Sequence, residues 1–255
     1  KSWRDMLSYN SCKCLAISNS RVYCATDYSL FYIDKDDFSS HHLTPIEGMA
    51  ETMVSQIAYC DKLRLLVVAY TSGNIDLLYD NGKIVNLSGL KDKNFTSDKH
   101  TNHIFIDGTT AYLSCNFGII SINLERREFV DAYILGTDGN YMKVNSSAIY
   151  GGYLYALTDN GLMRGPTDNL FLTDLKNWEM IGDSTIGTRF TTSCIFNNRL
   201  IVNAMLTADG NVSRVSAFDG KQWQTIWDSL VDVRSLTSNN GYIVRATEQG
   251  ADAFD

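Results

Sequence analysis

The sequence predicts an all-β fold: a β-propeller of four-stranded antiparallel blades with six visible repeats, and therefore six or seven blades. Three observations predict it. A pattern recurs about every 44 residues, alternating strands are joined at Gly, Asn and Asp, and no segment shows an amphipathic helix with caps.

The repeat consists of a short apolar strand, a small residue, a turn and a second alternating strand. The turn positions Ser29, Gly73, Gly118 and Gly161 lie 44, 45 and 43 residues apart, and Gly250 follows after 89 residues, which is two further repeats. The six copies occupy residues 22–31, 66–75, 112–120, 155–162, 200–210 and 242–251. A β-sandwich is the structural alternative, but it does not explain a period of this length.

Tryptophans mark the end of the repeat. Trp178 and Trp223 each close a copy just before the next begins, whereas the matching Trp3 stands at the start of the chain. We therefore expect the strand around Trp3 to complete the last blade by pairing with the strand that ends near Asp255; if it does not, a seventh blade is missing. Residues 1–255 are predicted to form one propeller domain of a larger multidomain protein. We expect the inner strands near residues 12–18, 53–59, 102–106, 145–150, 191–196 and 232–237.

Composition excludes several classes of function. The chain of 255 residues has 22 Lys and Arg against 29 Asp and Glu, a net charge of −7, and no basic run that would attract nucleic acid. Its six cysteines form no CxxC pair. We expect all six to be small buried hydrophobic residues, with oxidation in an exported compartment as the competing interpretation.

The sequence offers little catalytic or metal-binding chemistry. His100 and His103, with Asp98 nearby, have the spacing of metal ligands, but they lie in a polar connection that we expect to be an ordinary loop. Asp219 resembles the acid of a sialidase Asp-box but stands one residue late. We predict no catalytic residues, metal or cofactor, and a protein that is not an enzyme. A propeller hydrolase or lyase is kept as an alternative.

Aromatic residues in the turns are the candidate contacts. Tyr28, Phe117 and Tyr141 lie in turns between strands, where exposed rings can stack on sugar faces or anchor a protein partner. They are the predicted ligand or partner residues. The alternative for each ring is packing between blades.

A resemblance covers nearly the whole chain. The segments that carry it include Val-Tyr-Cys-Ala-Thr at 22–26, Asp-Lys-His-Thr-Asn-His at 98–103 and Ala-Tyr-Leu-Ser-Cys-Asn-Phe-Gly at 111–118. In order and spacing the chain resembles the N-terminal propeller of PorZ-like proteins, which accompany the type IX secretion system of Bacteroidetes. The resemblance implies export to the periplasm or outer-membrane surface, a second propeller and a C-terminal domain. It also implies a role in handing anionic lipopolysaccharide to the sortase.

A second family of propellers is the alternative. The periplasmic sensor regions of hybrid two-component regulators detect oligosaccharides and carry an Ile-Trp-Ile-Gly-Thr strand. The equivalent residues here, at 22–26 and 154–158, are related but lack the Trp.

Overall fold

The chain is a six-bladed, all-β propeller of antiparallel strands, as the repeat predicts. The computed structural model describes residues 8–9, 11–93, 98–137, 140–181, 186–206, 212–229, 233–239, 241–247 and 250–254. Within these ranges there is no α-helix, only two 3-10 turns at Pro45–Glu47 and Leu175–Asn177.

Each blade is built from strands that are consecutive in the chain. Blade 1 comprises β1 (Cys14–Ile17), β2 (Arg21–Ala25), β3 (Leu30–Asp34) and β4 (Ser40–Leu43); blade 2 comprises β5 (Val54–Cys60), β6 (Leu65–Tyr70), β7 (Ile75–Tyr79) and β8 (Ile84–Leu87). Blade 3 comprises β9 (Thr101–Asp107), β10 (Thr110–Cys115), β11 (Gly118–Asn123) and β12 (Glu128–Tyr133); blade 4 comprises β13 (Val144–Tyr150), β14 (Tyr153–Thr158), β15 (Gly161–Pro166) and β16 (Glu179–Ile181). Blade 5 comprises β17 (Arg189–Phe196), β18 (Arg199–Met205), β19 (Ser213–Phe218) and β20 (Trp223–Ser229); blade 6 comprises β21 (Val233–Asn239), β22 (Tyr242–Thr247) and β23 (Gly250–Phe254).

All six predicted inner strands are confirmed, since β1, β5, β9, β13, β17 and β21 lie at the expected positions. The expected strand around Trp3 lies outside the described residues, so its pairing with blade 6 stays a prediction. Four inner strands also share a β-bulge near their first residue, in blades 2, 4, 5 and 6. A bulge bends the strand locally and increases its twist.

The chain divides into two compact units, which we describe separately: Lys1–Leu113 with Ile120–Asp131, and Ser114–Ile119 with Ala132–Asp255. The core of the first unit lies between blades 1 and 2. Strand β6, which pairs with β5 on one side and β7 on the other, is buried at every residue. The cluster includes Tyr23, Leu30, Ile57, Leu66, Val68 and Tyr70.

One carboxylate is fully buried in the first unit. Asp76 of β7 accepts hydrogen bonds from the Tyr70 hydroxyl (2.7 Å), the Ala50 backbone N–H (2.7 Å) and the Asn86 side-chain amide (2.8 Å). Because buried charge is costly unless it is hydrogen-bonded, these donors make Asp76 a structural residue.

The core of the second unit fills the spaces between blades 4 and 5 and between blades 5 and 6. Its larger members are Tyr155, Leu157, Phe190, Val202, Phe218, Ile201 and Leu236. Small polar side chains join neighbouring inner strands across these spaces. The hydroxyls of Ser146 and Ser193 lie 3.1 Å apart, and the Leu236 N–H donates to Thr192 Oγ1 at 3.3 Å.

The glycine turns of the repeat have a steric cause. Gly118 has a φ of 143°, and a Cβ at this position would lie 2.1 Å from the Tyr133 carbonyl oxygen. Gly161 has a similar φ of 133°. Only glycine adopts this conformation without strain.

The expectation that all six cysteines are buried is wrong for Cys12. Cys12 is exposed and forms a disulfide with the buried Cys24, with their Cα atoms 6.0 Å apart. The disulfide joins the segment before β1 to β2. Oxidation, the competing interpretation, is therefore correct for this pair.

The other four cysteines, all among the described residues, are not in disulfides. Cys60 and Cys115 are buried, and Cys14 and Cys194 are half-buried. Burial raises the pKa of the Cys14 thiol to about 11 and that of Cys194 to about 12. High thiol pKa values keep the reactive thiolate rare, so these residues act as packing groups.

Candidate functional site

Tyr28 is held by a rigid turn and exposes its ring. The Thr26 hydroxyl accepts hydrogen bonds from the backbone N–H groups of Tyr28 (3.3 Å) and Ser29 (3.1 Å), and both the Thr26 and Ser29 hydroxyls donate to the Ser8 carbonyl. The side chain of Tyr28 is 55% exposed. An aromatic ring on a fixed turn can contact a partner with little loss of entropy.

Phe117 does not share this exposure, and its interpretation as a surface contact was wrong. It occupies the same place in its repeat, one residue before the turn position, yet its side chain is completely buried. Its ring meets that of Tyr141 edge-on, with centroids 6.3 Å apart. Phe117 is therefore a core residue, and Tyr141, from the connection between β12 and β13, packs against it.

The structure brings only two of the three predicted residues together. Tyr141 is 39% exposed and remains accessible beside the buried Phe117. Tyr28 belongs to the first unit and the other two residues to the second.

The candidate histidines and Asp219 do not form a metal site in the described part of the chain. The expectation that both histidines lie in a loop is wrong for His103: His100 precedes β9, but His103 lies on β9 and is half-buried. Burial lowers the pKa of its imidazole to about 4. Asp219 Oδ1 accepts from the backbone N–H groups of Lys221 and Gln222 at 2.8 Å, which fixes the turn after β19 and lowers the pKa of the carboxyl. Across the described ranges, no group of three or more His, Cys, Asp or Glu side chains could hold a metal.

A groove in the second unit was not predicted. It has a volume of about 530 Å³ and lies between blades 5 and 6. Ile201 and Ile243 form part of its apolar floor, and the Trp227 and Phe254 rings stack with centroids 4.5 Å apart. We call it the Trp227 groove.

Polar groups complete the Trp227 groove. Arg199 Nη1 donates to Gln224 Oε1 at 3.1 Å on its wall. The indole N–H of Trp227 is buried and meets no acceptor in the described part of the chain. An apolar floor with a few donors suits a small organic ligand or an inserted side chain. The sequence indicates this groove only through Trp227, which lies four residues after Trp223. Only Trp223 matches the repeat pattern, so the repeat does not single out Trp227.

A second recess, in the first unit, is lined by an aromatic ring and by one residue of each charge. Leu63, Arg64, Tyr79, Asp80 and Asn81 line it, and its volume is about 390 Å³. We call it the Tyr79 recess. Arg127 Nε donates to the Tyr79 hydroxyl at 3.0 Å. The Arg127 guanidinium and the Lys83 ammonium lie 5.7 and 6.0 Å from the ring centroid.

Asp80, the carboxylate that lines the Tyr79 recess, already has hydrogen-bond and ion-pair partners. The Tyr59 hydroxyl donates to both oxygens of Asp80 at 2.9 Å, and Arg64 Nε lies 3.1 Å from the same group. Burial, and then the hydrogen bond to Asp80, raises the pKa of Tyr59. Asp80 therefore positions neighbouring side chains, while Arg127 and Lys83 flank the ring of Tyr79.

A comparison with known protein families shows which family the chain belongs to. Residues 22–179 match the family described as the type IX secretion (TSS9) PorZ N-terminal β-propeller domain. The chain belongs to this family. The resemblance inferred from the sequence is thereby confirmed, and the family is a secretion accessory domain.

Solved structures share the fold. PorZ, an essential bacterial surface component of the type IX secretion system of Porphyromonas gingivalis, aligns with 98% of this chain at 20% identity and a TM-score of 0.69. The extracellular domain of a putative hybrid two-component system from B. thetaiotaomicron also aligns with 98%, at 14% identity and a TM-score of 0.69. The β-propeller domain of Cps50 (Swd1) from Myceliophteria thermophila aligns with 98%, at 11% identity and a TM-score of 0.67.

Because the sequence identities are 20% or lower, these structural alignments show a shared fold and nothing about function. The chain spans 37% of PorZ, 34% of the two-component protein and 84% of the Cps50 domain. No curated protein matches the chain. Two of the three structures are surface or extracellular, and no helix among the described residues has the length and hydrophobicity to cross a membrane.

Proposed function

We propose that this propeller is a non-enzymatic docking domain of a surface-exposed type IX secretion accessory protein. It is exported, it joins a further propeller and a C-terminal domain, and it binds anionic lipopolysaccharide or the sortase that receives it. Membership of the PorZ family supports the secretion role. The observation that carries the docking role is Tyr28, an exposed ring on a turn fixed by its own hydrogen bonds.

The charge of the chain restricts where an anionic glycan would bind. The net charge of −7 repels anions at long range, so binding requires a local concentration of cations. Arg127 and Lys83 supply them beside the Tyr79 recess, because both lie close to the ring of Tyr79. An aromatic face for sugar carbons beside a guanidinium for phosphate or carboxylate groups is the chemistry that an anionic polysaccharide needs.

Direct titration tests the proposal. We expect the purified protein to bind anionic lipopolysaccharide, to bind neutral lipopolysaccharide at least tenfold more weakly, and to lose affinity as salt increases. Tyr28→Ala and Arg127→Gln should weaken binding, and Phe38→Ala, which removes an exposed ring from another turn, should not.

Two further assays separate the alternatives. If the lipopolysaccharide does not bind, titration with the purified sortase tests the other partner, and binding to neither contradicts the proposal. Glycosides, lactones and esters should show no turnover. Hydrolysis abolished by a single polar substitution would instead support the propeller hydrolase. The sensor alternative rests on fold likeness alone, whereas the family match favours secretion.

A further inference from the structure

The loop between β15 and β16, residues 167–178, has two large apolar side chains at its tip. Leu170 is 92% exposed and Phe171 is 71% exposed. Adjacent apolar side chains that face water this fully have an energetic cost, and such patches on soluble proteins commonly mark interaction sites. We call residues 170–171 the Leu-Phe tip.

The backbone beneath the Leu-Phe tip is fixed. The Phe171 N–H donates to Asn169 Oδ1 at 2.9 Å, and the Phe171 carbonyl accepts from the Asn177 side-chain amide at 2.7 Å. The same carbonyl accepts from the Asp174 N–H at 2.9 Å. Both backbone groups of Phe171 are thus held while its ring stays in solvent.

The next residue anchors the loop to the blade. Leu172 is buried, and its carbonyl accepts from the buried Trp178 indole at 2.8 Å. A Cβ at Gly165 would lie 2.3 Å from the Leu172 side chain and 3.2 Å from the Trp178 ring, so both side chains pack directly on β15. The loop therefore has enough core to hold its shape without using the Leu-Phe tip.

A preorganised apolar projection suits insertion into a pocket. Little conformational entropy is lost when a fixed loop binds, and the tip is too small to form a whole interface by itself, since stable interfaces bury about 800 Å² on each partner. A flat partner would leave most of the two side chains in water. The tip fits the role of an anchor that fills a concave apolar pocket.

The charge of this loop favours a protein over a membrane as the partner of the Leu-Phe tip. Asp174 pairs with Lys176 at 2.7 Å, whereas the exposed Asp168 has no ion pair within the described residues. The loop is therefore net acidic on a chain of net charge −7. Insertion into an anionic membrane surface needs unpaired flanking cations, and the one lysine of this loop, Lys176, is paired with Asp174.

We propose that the Leu-Phe tip is an anchor for a protein partner that presents an apolar pocket with a basic residue at its rim, opposite Asp168. This goes beyond the proposed function, because it holds whether the domain recognises a glycan or the sortase, and whether it does so at Tyr28 or beside the Tyr79 recess.

Photo-crosslinking in the native cell tests the partner class. The full-length protein carries p-benzoylphenylalanine in place of Phe171, or in place of Phe38 as the control, since Phe38 is 79% exposed in a different turn. We expect one dominant protein adduct from position 171, and its loss when Leu170→Ser is added. Lipid adducts alone, adducts only with a second copy of the chain, no adduct, or the same adducts from position 38 would each overturn the proposal.

Titration with the crosslinked partner, once purified, measures the anchor. Leu170→Ser and Phe171→Ser should each weaken binding by about 10- to 100-fold, equivalent to about 1.4–2.7 kcal/mol. Phe38→Ser should change it less than threefold, and all three variants should keep the melting temperature, because the side chains are exposed. Equal affinity in the Leu-Phe tip variants and the control refutes the anchor. A partner outside the secretion system would refute the proposed function while leaving the anchor intact.

Discussion

Two turns at the same place in the repeat have opposite environments. Tyr28 precedes the turn position of blade 1 and is largely exposed, whereas Phe117 precedes that of blade 3 and is completely buried. The difference lies outside the repeat, in the connection to the next blade. Tyr141, from the connection after blade 3, packs edge-on against Phe117. The turn of Tyr28 instead closes on its own Thr26 and Ser29 hydroxyls and on the Ser8 carbonyl.

The repeat thus determines where a turn lies, and the connections determine whether its side chain is available. One turn can therefore serve binding and the other stability. Substitutions should separate the two roles.

The largest expected effect is at Phe117. Phe117→Ala should lower the free energy of unfolding by about 3–5 kcal/mol, because it removes a buried ring and leaves a cavity. Tyr28→Ala should lower it by no more than about 0.5 kcal/mol, as for other exposed positions. Urea denaturation of the two variants side by side measures both values, and equal losses would remove the distinction between the turns.

The disulfide beside the Tyr28 turn should have the next largest effect. Cys12 and Cys24 are 12 residues apart, and closing a loop of this size in the unfolded chain is worth about 3 kcal/mol. Cys12→Ser should therefore lower the free energy of unfolding by up to that amount under oxidising conditions. With reductant present, wild type and variant should become equal. An unchanged difference in reductant would argue for a packing role of Cys12.

Acid should destabilise the protein partly through His103. Its folded-state pKa of about 4 lies below the ordinary value of 6.5, so as pH falls through 6.5 the unfolded chain binds a proton that the folded chain does not. Its contribution to stability is therefore complete above pH 6.5 and declines between pH 6.5 and 4. His103→Gln should reduce the loss over this window by about 1–2 kcal/mol. Parallel pH dependences in wild type and variant would contradict the burial of a neutral imidazole.

An effect of similar size is expected at Tyr141, which packs against Phe117. An edge-on aromatic pair contributes about 0.5–1.5 kcal/mol beyond its buried area, so Tyr141→Ala should cost about 1–2 kcal/mol. Tyr141→Phe keeps the ring and should cost less. Thermal unfolding of both variants checks this order, and the reverse order would assign the stabilisation to the hydroxyl.

Much of the fold followed from the sequence because hairpin turns have strict local requirements. Gly118 and Gly161 need a positive φ, and this need repeats with the blade. The bulges in the inner strands had no such signal, since residues as different as Ser55 and Asn145 occupy the shifted positions.

The candidate site residues could be predicted from the sequence only in part. Tyr28 was correct as an exposed ring, but the buried Phe117 packs against Tyr141, more than 20 residues away along the chain. The Trp227 groove joins side chains of separate strands in blades 5 and 6, and its Trp lies outside the repeat pattern. Contacts between repeats are set by tertiary packing, which a periodic pattern does not contain.

The most direct test of the account is a paired measurement on Tyr28→Ala. The free energy of unfolding and the affinity for anionic lipopolysaccharide or the sortase should be measured on the same preparation. We predict wild-type stability within about 0.5 kcal/mol and affinity reduced at least tenfold. Wild-type affinity in a stable Tyr28→Ala protein, or loss of binding only when the protein also unfolds, would contradict the claim that this turn is part of the docking surface.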